Sequence, residues 1–343
     1  MKQKILVIQT AFIGDAVLAT SLLENLHQRF PDAQLDYLIR KGHEGLFQHH
    51  PFIHNLLLWD KKTNKNRNLI RLLFKIRKEK YNKVITVQRY ASTGLLTAFS
   101  GAEERIGFDK NPFSMFFSRV MKHEFKQAGE PGLHETERNH KLIEHLVGPG
   151  IEKPKLYPGA ADEESVYRYT RLPYIVVAPG SVWFTKQFPA DKWLPFLNAV
   201  PYDYSIYLIG GKEDTAIADQ LKIRTSNPYV VNLCGKLSFL ESVEMVRKAA
   251  MNYVNDSAPL HFASATNAPV TVIYNSTVPA FGYGPLSDIQ HIVQHPGPLY
   301  CRPCGLHGHR VCPEGHFRCA HDIDSMQLLT VLPPAPNPLP IEM

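Results

Sequence analysis

Three stretches of this chain set charged or hydroxyl side chains just past an apolar run, the place where an open α/β sheet gathers its ligands. The first is Thr10-Ala11-Phe12-Ile13-Gly14-Asp15. A carboxylate such as Asp15 in a cleft can take a proton from a hydroxyl as a general base, with Gly14 allowing a tight turn ahead of it. The same position fits a plain helix cap, and spacing alone weighs the two readings evenly. The second stretch is Ala178-Pro179-Gly180-Ser181, followed by Thr185, Lys186, Gln187, Phe188 and Pro189. Backbone amides, a hydroxyl and the Lys186 ammonium suit a diphosphate, although a lone lysine is more often a solvated surface residue. The third, Asn255-Asp256-Ser257-Ala258-Pro259-Leu260-His261, ends a strand and opens a helix. Amides at the helix start favour an anion, and Asp256 offers a carboxylate to sugar hydroxyls. Asp256 or Ser257 serves equally as the cap, and His261 equally as a packed histidine. None of the three carries the glycines of G-x-G-x-x-G or the pattern G-x-x-x-x-G-K-[ST], which argues against a dehydrogenase and a P-loop ATPase.

Two further groups could carry function. Cys301, Cys304, Cys312 and Cys319 are spaced C-x2-C-x7-C-x6-C, with His307, His309, His316 and His321 among them. Thiolates at this range can enclose zinc, yet a zinc ribbon uses two C-x-x-C knuckles and only one is present, so reduced or incidentally paired thiols fit as well. Lys61, Lys62, Lys65, Arg67, Arg71, Lys75, Arg77, Lys78 and Lys80 form a basic run whose apolar side is Leu69, Leu72, Leu73 and Ile76. Such a run is ordinarily a solvated helix face; its functional reading is attraction of a phosphorylated glycolipid.

The elements that must position these residues are read from periodicity. KILVIQT, LDYLIR (35–40), NLLLWD (55–60) and YNKVITVQ (81–88) are short apolar runs of the buried parallel kind, separated by helical stretches, one from Asp15 to Phe30 and one from Asn68 to Lys80. Strand and helix alternate through about Val147, then again from YIVVAPG (174–180) through YSIYLIGG, YVVNLCG, MNYVND and APVTVIYN (268–275). Pro154, Pro158 and Gly159 mark a linker, giving an N-terminal domain over 1–160 and a C-terminal domain over 161–332, which includes the cysteine segment 301–319. A proline-rich tail, 333–343, is expected to be extended or disordered.

At 343 residues and 44% hydrophobic composition the chain supports two cores and is not disordered. Gln9, Thr10 and Asp15 interrupt the first apolar run, so no signal peptide is expected, and nowhere do about 18 apolar residues run together as a membrane span requires. Cysteines crowded into one segment of a long chain suit a reducing compartment better than a secreted framework. A net charge of +6 suits an anionic partner without naming nucleic acid.

Taken in order, these motifs resemble glycosyltransferase family 9, the ADP-heptose:lipopolysaccharide heptosyltransferases. The matches are Ile13-Gly14-Asp15 with Leu18 and Thr20; Arg105-Ile106-Gly107-Phe108; His134-Glu135-Thr136-Glu137-Arg138-Asn139; Pro179-Gly180-Ser181 with Lys186, Phe188-Pro189 and Trp193; and Asn255-Asp256-Ser257 with Pro259, His261 and Pro269. The resemblance implies a GT-B fold, two facing Rossmann-like doubly wound α/β domains, with the acceptor held by the first and the donor by the second. It implies Asp15 as catalytic base and Lys186 on the donor diphosphate. Asp256, Ser257 and Ala258 would hold the donor sugar and phosphates, with Gly180, Ser181, Thr185 and His261 completing the donor site. Ala258 departs from the glycine usual there, which bears on the identity of the sugar. Gly14, Arg71 and Lys75 are expected to meet the acceptor. Heptose would pass from ADP-heptose to the inner core of lipopolysaccharide with inversion. No cofactor is required for transfer; zinc on the four cysteines would be structural. The implied partners are the nucleotide sugar, a lipid-linked core oligosaccharide and the inner face of the inner membrane reached from the cytoplasm, without nucleic acid. Two other readings remain: a GT-B transferase using another nucleotide sugar for a surface glycan, and a non-catalytic zinc-bearing module of the same fold.

Overall fold

The computed structural model describes residues 2–124 and 132–335. The chain divides into two compact units, 1–157 and Pro158 onward, inside the Pro154–Gly159 stretch. In the first unit the strands are β1 (Lys4–Ile8), β2 (Gln34–Arg40), β3 (Ile53–Trp59), β4 (Lys83–Thr86), β5 (Glu104–Phe108) and β6 (Arg119–Met121). Its helices are α1 (Ile13–Leu18), α2 (Thr20–Arg29), α3 (Lys65–Glu79), α4 (Ala91–Ala98), α5 (Glu135–His140) and α6 (Glu144–Val147). The second unit begins with α7 (Ala160–Thr170), β7 (Tyr174–Ala178), α8 (Ala190–Ala199), β8 (Ser205–Leu208), α9 (Thr215–Arg224) and β9 (Val230–Asn232). It continues with α10 (Phe239–Lys248), β10 (Met251–Asn255), α11 (Ala258–Thr266), β11 (Val270–Tyr274), β12 (Gln290–Gln294) and α12 (Arg318–His321).

Among the described residues these strands form two six-stranded sheets, β3-β2-β1-β4-β5-β6 and β12-β11-β10-β7-β8-β9, with parallel pairing throughout. Counted within its own unit, each sheet has the order 3-2-1-4-5-6 of a doubly wound nucleotide-binding fold. The chain reverses direction across the sheet between the first and fourth strands, so a crevice opens at their carboxyl ends: β1 with β4, and β7 with β10. Every residue of β7, β10 and β11 is buried, as expected of strands covered by helices on both faces.

The structure departs from the periodicity in three places. The helix expected from Asp15 to Phe30 is two helices, broken at Ala19, where the Thr20 hydroxyl bonds the Val17 carbonyl at 2.7 Å and accepts the Lys155 amide at 3.0 Å. A hydroxyl that offers the backbone such an alternative partner interrupts a helix. Strands β5, β6 and β12 are absent from the periodicity: β5 opens on two charged residues, and the edge strands β6 and β12 each have one covered face at most and carry no apolar run. The start of the proline-rich tail is packed: Tyr204 donates to the Pro333 carbonyl at 2.9 Å, and Ala335 rests on the core of the second unit. Residues 336–343 of that tail lie outside the described residues.

The first unit's core centres on Leu6, Leu38, Trp59, Leu72, Ile76 and Tyr81. The second centres on Trp193, which meets Phe188 edge-on at 5.2 Å and is fully buried beside Phe196 and Tyr253. Trp193→Ala is expected to destabilise the protein by about 3–5 kcal/mol, the usual cost of emptying an aromatic site. The denaturant midpoint followed by circular dichroism measures it.

Candidate active site

In the first unit the crevice is built around Thr10. Its amide and hydroxyl both bond Gln88 Oε1, at 3.0 and 2.8 Å, and its carbonyl accepts Lys61 Nζ at 2.6 Å. Gln88 follows β4 and Lys61 follows β3, so the loop after β1 is gripped from both sides. Asp15, half-buried in the first turn of α1, accepts the Phe12 amide at 3.2 Å on Oδ2. The cap reading and the base reading therefore coexist, since one carboxylate oxygen satisfies the helix start. Gly14 lies within α1, so the turn ascribed to it is an ordinary helical turn.

The cleft beside this loop has a volume of about 640 Å³ and is lined by Thr10, Ala11 and Phe12, the cations Arg40, Lys61 and Lys65, and aromatic groups including Trp59, Tyr90 and Phe113. Lys61 lies over the Trp59 ring at 4.6 Å. Burial, with Arg40 and Lys65 nearby, brings its ammonium down to about 8. Arg71 and Lys75, expected at the acceptor site, stand exposed on α3 and do not line this cleft. The reason is helical phase: Leu69, Leu72 and Ile76 turn into the core and carry the intervening cations outward. Arg105 holds carbonyls of Ala102 and Phe116, and Arg138 forms a buried ion pair with Glu135 at 2.7 Å, so these family-like positions fix loops.

In the second unit the residues after β7 and β10 converge. Asn255 is completely buried; its Nδ2 donates to the Pro179 carbonyl at 2.8 Å and its Oδ1 accepts the Phe188 amide at 3.0 Å. That bridge places the loop bearing Lys186 beside the end of β10. Lys186 Nζ lies 2.7 Å from Asp256 Oδ2, which also accepts the Thr277 hydroxyl at 2.7 Å. The two residues assigned separately to phosphate and sugar thus pair with each other. Ser257 and Ala258 open α11, and Pro259 behind them has no amide to give. Ser181 is half-buried, and its carbonyl accepts Gln187 Nε2 at 2.6 Å. A Cβ on Gly180 would fall 1.9 Å from Asp214 Oδ1, so this position is held to glycine by a neighbouring side chain.

Two of the expected donor contacts have other work. The Thr185 hydroxyl accepts the His309 amide at 2.7 Å and the Ser276 hydroxyl at 3.0 Å, tying the lysine loop to the cysteine segment. His261 is buried in α11 with its ring 6.4 Å from that of Tyr283, a packed position. The motif reading passed over Ser276 and Thr277, which follow β11, and Arg302, which holds the carbonyls of Asn275 and Thr277 at 2.7 and 2.9 Å. Polar residues after an apolar strand were the available signal for the first two; Arg302 had none.

The four cysteines border one void of about 10 Å³ together with His316 and Glu314. Cys301 Sγ lies 3.9 Å from His316 Nε2. Among the described residues no group of three or more His, Cys, Asp or Glu is arranged to hold a metal ion, so the expected zinc is unsupported. Burial, with the neighbouring thiols, pushes Cys319 up to about 12 and raises Cys304.

The sequence pattern described as "Glycosyltransferase family 9 (heptosyltransferase)" matches residues 69–313. This chain belongs to glycosyltransferase family 9. Lipopolysaccharide heptosyltransferase 3 of Escherichia coli is 24% identical over 280 residues, covering 78% of this chain and 82% of that protein. A solved family 9 structure from Veillonella parvula superposes with a TM-score of 0.82 at 18% identity, over 96% of each chain. That of Escherichia coli ADP-heptose lipopolysaccharide heptosyltransferase II superposes with 0.77 at 19%, over 97% of each. This family 9 protein is accordingly a glycosyltransferase with two Rossmann-like units of the GT-B class. The matched span begins at α3, so the Asp15 loop lies ahead of it.

Removing the Asn255 carboxamide leaves the Phe188 amide and the Pro179 carbonyl buried without partners, each costing about 1–3 kcal/mol. Asn255→Ala is expected to lower the unfolding midpoint accordingly and to weaken nucleotide binding, both read by thermal shift with and without ADP.

Proposed function

We propose that this family 9 glycosyltransferase moves heptose from ADP-heptose to a lipid-linked lipopolysaccharide core oligosaccharide, at the cytoplasmic face of the inner membrane. The observation that carries the reading is the Lys186–Asp256 pair at the start of α11, a cation and a carboxylate 2.7 Å apart beside helix amides. An arriving diphosphate takes over Lys186 and the amide of Ala258, and frees Asp256 for the hydroxyls of the sugar. Similar proteins named for ADP-heptose and lipopolysaccharide support that choice of donor and acceptor.

The first unit supplies the acceptor side. Asp15 takes the proton of the acceptor hydroxyl, whose oxygen bonds to the anomeric carbon of heptose as the bond to the diphosphate oxygen breaks. One displacement inverts that carbon. ADP departs with the negative charge, which Lys186 and the helix amides stabilise more in the transition state than in the bound donor. Arg40, Lys61 and Lys65 in the cleft suit an acceptor bearing phosphate or carboxylate groups, and take the place first given to Arg71 and Lys75. Gly14 lies beside Asp15 in α1, and neither residue lines that cleft, which begins at Thr10, Ala11 and Phe12.

Asp15→Asn is expected to lower kcat about 10²–10⁴-fold with ADP affinity intact, since it removes the base alone; turnover near the wild-type rate removes Asp15 from this role. Lys186→Ala is expected to weaken ADP binding about 10–100-fold by calorimetry, the worth of a charged hydrogen bond; unchanged binding places the diphosphate elsewhere. In the same assay ADP-heptose is expected to outcompete UDP- and GDP-sugars.

A further inference from the structure

The first unit carries a surface that the transfer reaction leaves unused. On α3, Ile70 and Phe74 face solvent one turn apart, Phe74 with 67% of its surface exposed. Arg77 follows on the same ridge and donates from Nη1 to the Phe99 carbonyl at 3.0 Å, which joins the ridge to the end of α4. There the Phe99 ring meets Phe116 at 5.6 Å and Phe113 at 6.1 Å, and Met115 beside them is 81% exposed. Apolar side chains gathered this way on a surface mark an interaction site. Cations surround them: α3 holds Lys65, Arg67, Arg71, Lys75, Arg77 and Lys78 against one carboxylate, Glu79, which is paired with Lys4 at 3.1 Å.

We infer that this face docks the protein on an anionic phospholipid bilayer, Phe74, Met115 and Phe116 entering the headgroup boundary while the cations of α3 lie against lipid phosphates. A basic helix with protruding apolar groups is the pattern of an interfacial helix. A second copy docked by a two-fold axis would bring the same cations to both sides of the contact, like charge on like. Phe113 belongs both to this aromatic group and to the lining of the 640 Å³ cleft, so the docked face adjoins the cleft. The inference stands on the surface itself and does not need the proposed donor to be correct.

Full-length protein floated with vesicles of phosphatidylglycerol and phosphatidylcholine is expected to bind, and to bind pure phosphatidylcholine at least about tenfold more weakly. Each basic residue near an anionic surface is worth about fivefold, so Arg67→Glu with Lys78→Glu is expected to cut partitioning more than about 100-fold at low salt. Near 0.5 M NaCl, where the Debye length falls to roughly 4 Å, that difference shrinks. Phe74→Ser with Met115→Ser is expected to lose about tenfold, with melting temperature and ADP release on a soluble deacylated acceptor unchanged. If Phe74→Ser lowers the melting temperature, Met115→Ser alone reads the same question. Equal partitioning on both vesicle types, variants that bind like wild type, preferential binding of single-stranded DNA, or a dimer in sedimentation that Phe74→Ser dissolves would each overturn the inference. Failure of ADP-heptose turnover would instead count against the proposed donor alone.

Discussion

The rest of this molecule depends on how a parallel sheet closes the gap at its own switch point. Between the first and fourth strands of each unit the outgoing loops diverge to opposite faces, leaving backbone groups exposed to a crevice that must also bind ligand. Both units close it with a buried carboxamide at the end of the fourth strand. Gln88 takes the amide and hydroxyl of Thr10 on one oxygen, and Asn255 joins the Pro179 carbonyl to the Phe188 amide. The donor at Thr10 fixes Oε1 as the acceptor in Gln88, which leaves Nε2 buried with no hydrogen-bond partner among the described residues. A buried donor left unpaired costs about 1–3 kcal/mol, so the position is chosen for what its oxygen holds.

The two crevices differ in charge. The cleft of the first unit is ringed by Arg40, Lys61 and Lys65, and the charge of an arriving anion would offset the desolvation that lowers Lys61 toward 8. In the second unit Lys186 and Asp256 neutralise each other while shielded from water, with 15% and 10% of their side chains exposed. Separating a pair so enclosed is unfavourable unless each charge finds a new partner at once. A nucleotide diphosphate sugar provides both, anionic oxygens for the ammonium and hydroxyls for the carboxylate. A ligand with only one of the two leaves a stranded charge, which is a physical basis for selecting the whole donor.

Much of this was legible in the sequence because parallel strands buried on both faces must be apolar runs, and the loops that follow such runs must reach the ligand side. That logic points to the segments around Asp15, Lys186 and Asp256, which the proposed function uses. It failed where side-chain direction decides. Arg71 and Lys75 have the right charge on the wrong phase of α3, and Thr185 has the right chemistry but is buried, its hydroxyl oxygen accepting from His309 and Ser276. At Gly180 the missing Cβ also makes room for Asp214, a residue 34 positions later that accepts the Gly211 amide at 2.9 Å. The edge strands β6 and β12 were silent because partly solvated strands carry no apolar signal.

The cysteine segment shows how contacts remote in sequence brace the loop that bears Lys186. Gly308 adopts φ of +75°, and a Cβ there would stand 2.9 Å from the Thr185 hydroxyl and 3.0 Å from Lys186 Cγ. The segment therefore runs with bare backbone against the lysine stem, and the paired bonds between Thr185 and His309, at 3.1 and 2.7 Å, fix the spacing. Arg302 secures its other end to the carbonyls after β11, beside Thr277, which in turn holds Asp256. Lys186 and Asp256 are thus positioned by the same buttress from two directions. The segment thereby sets the distance between the two charges proposed to meet the donor.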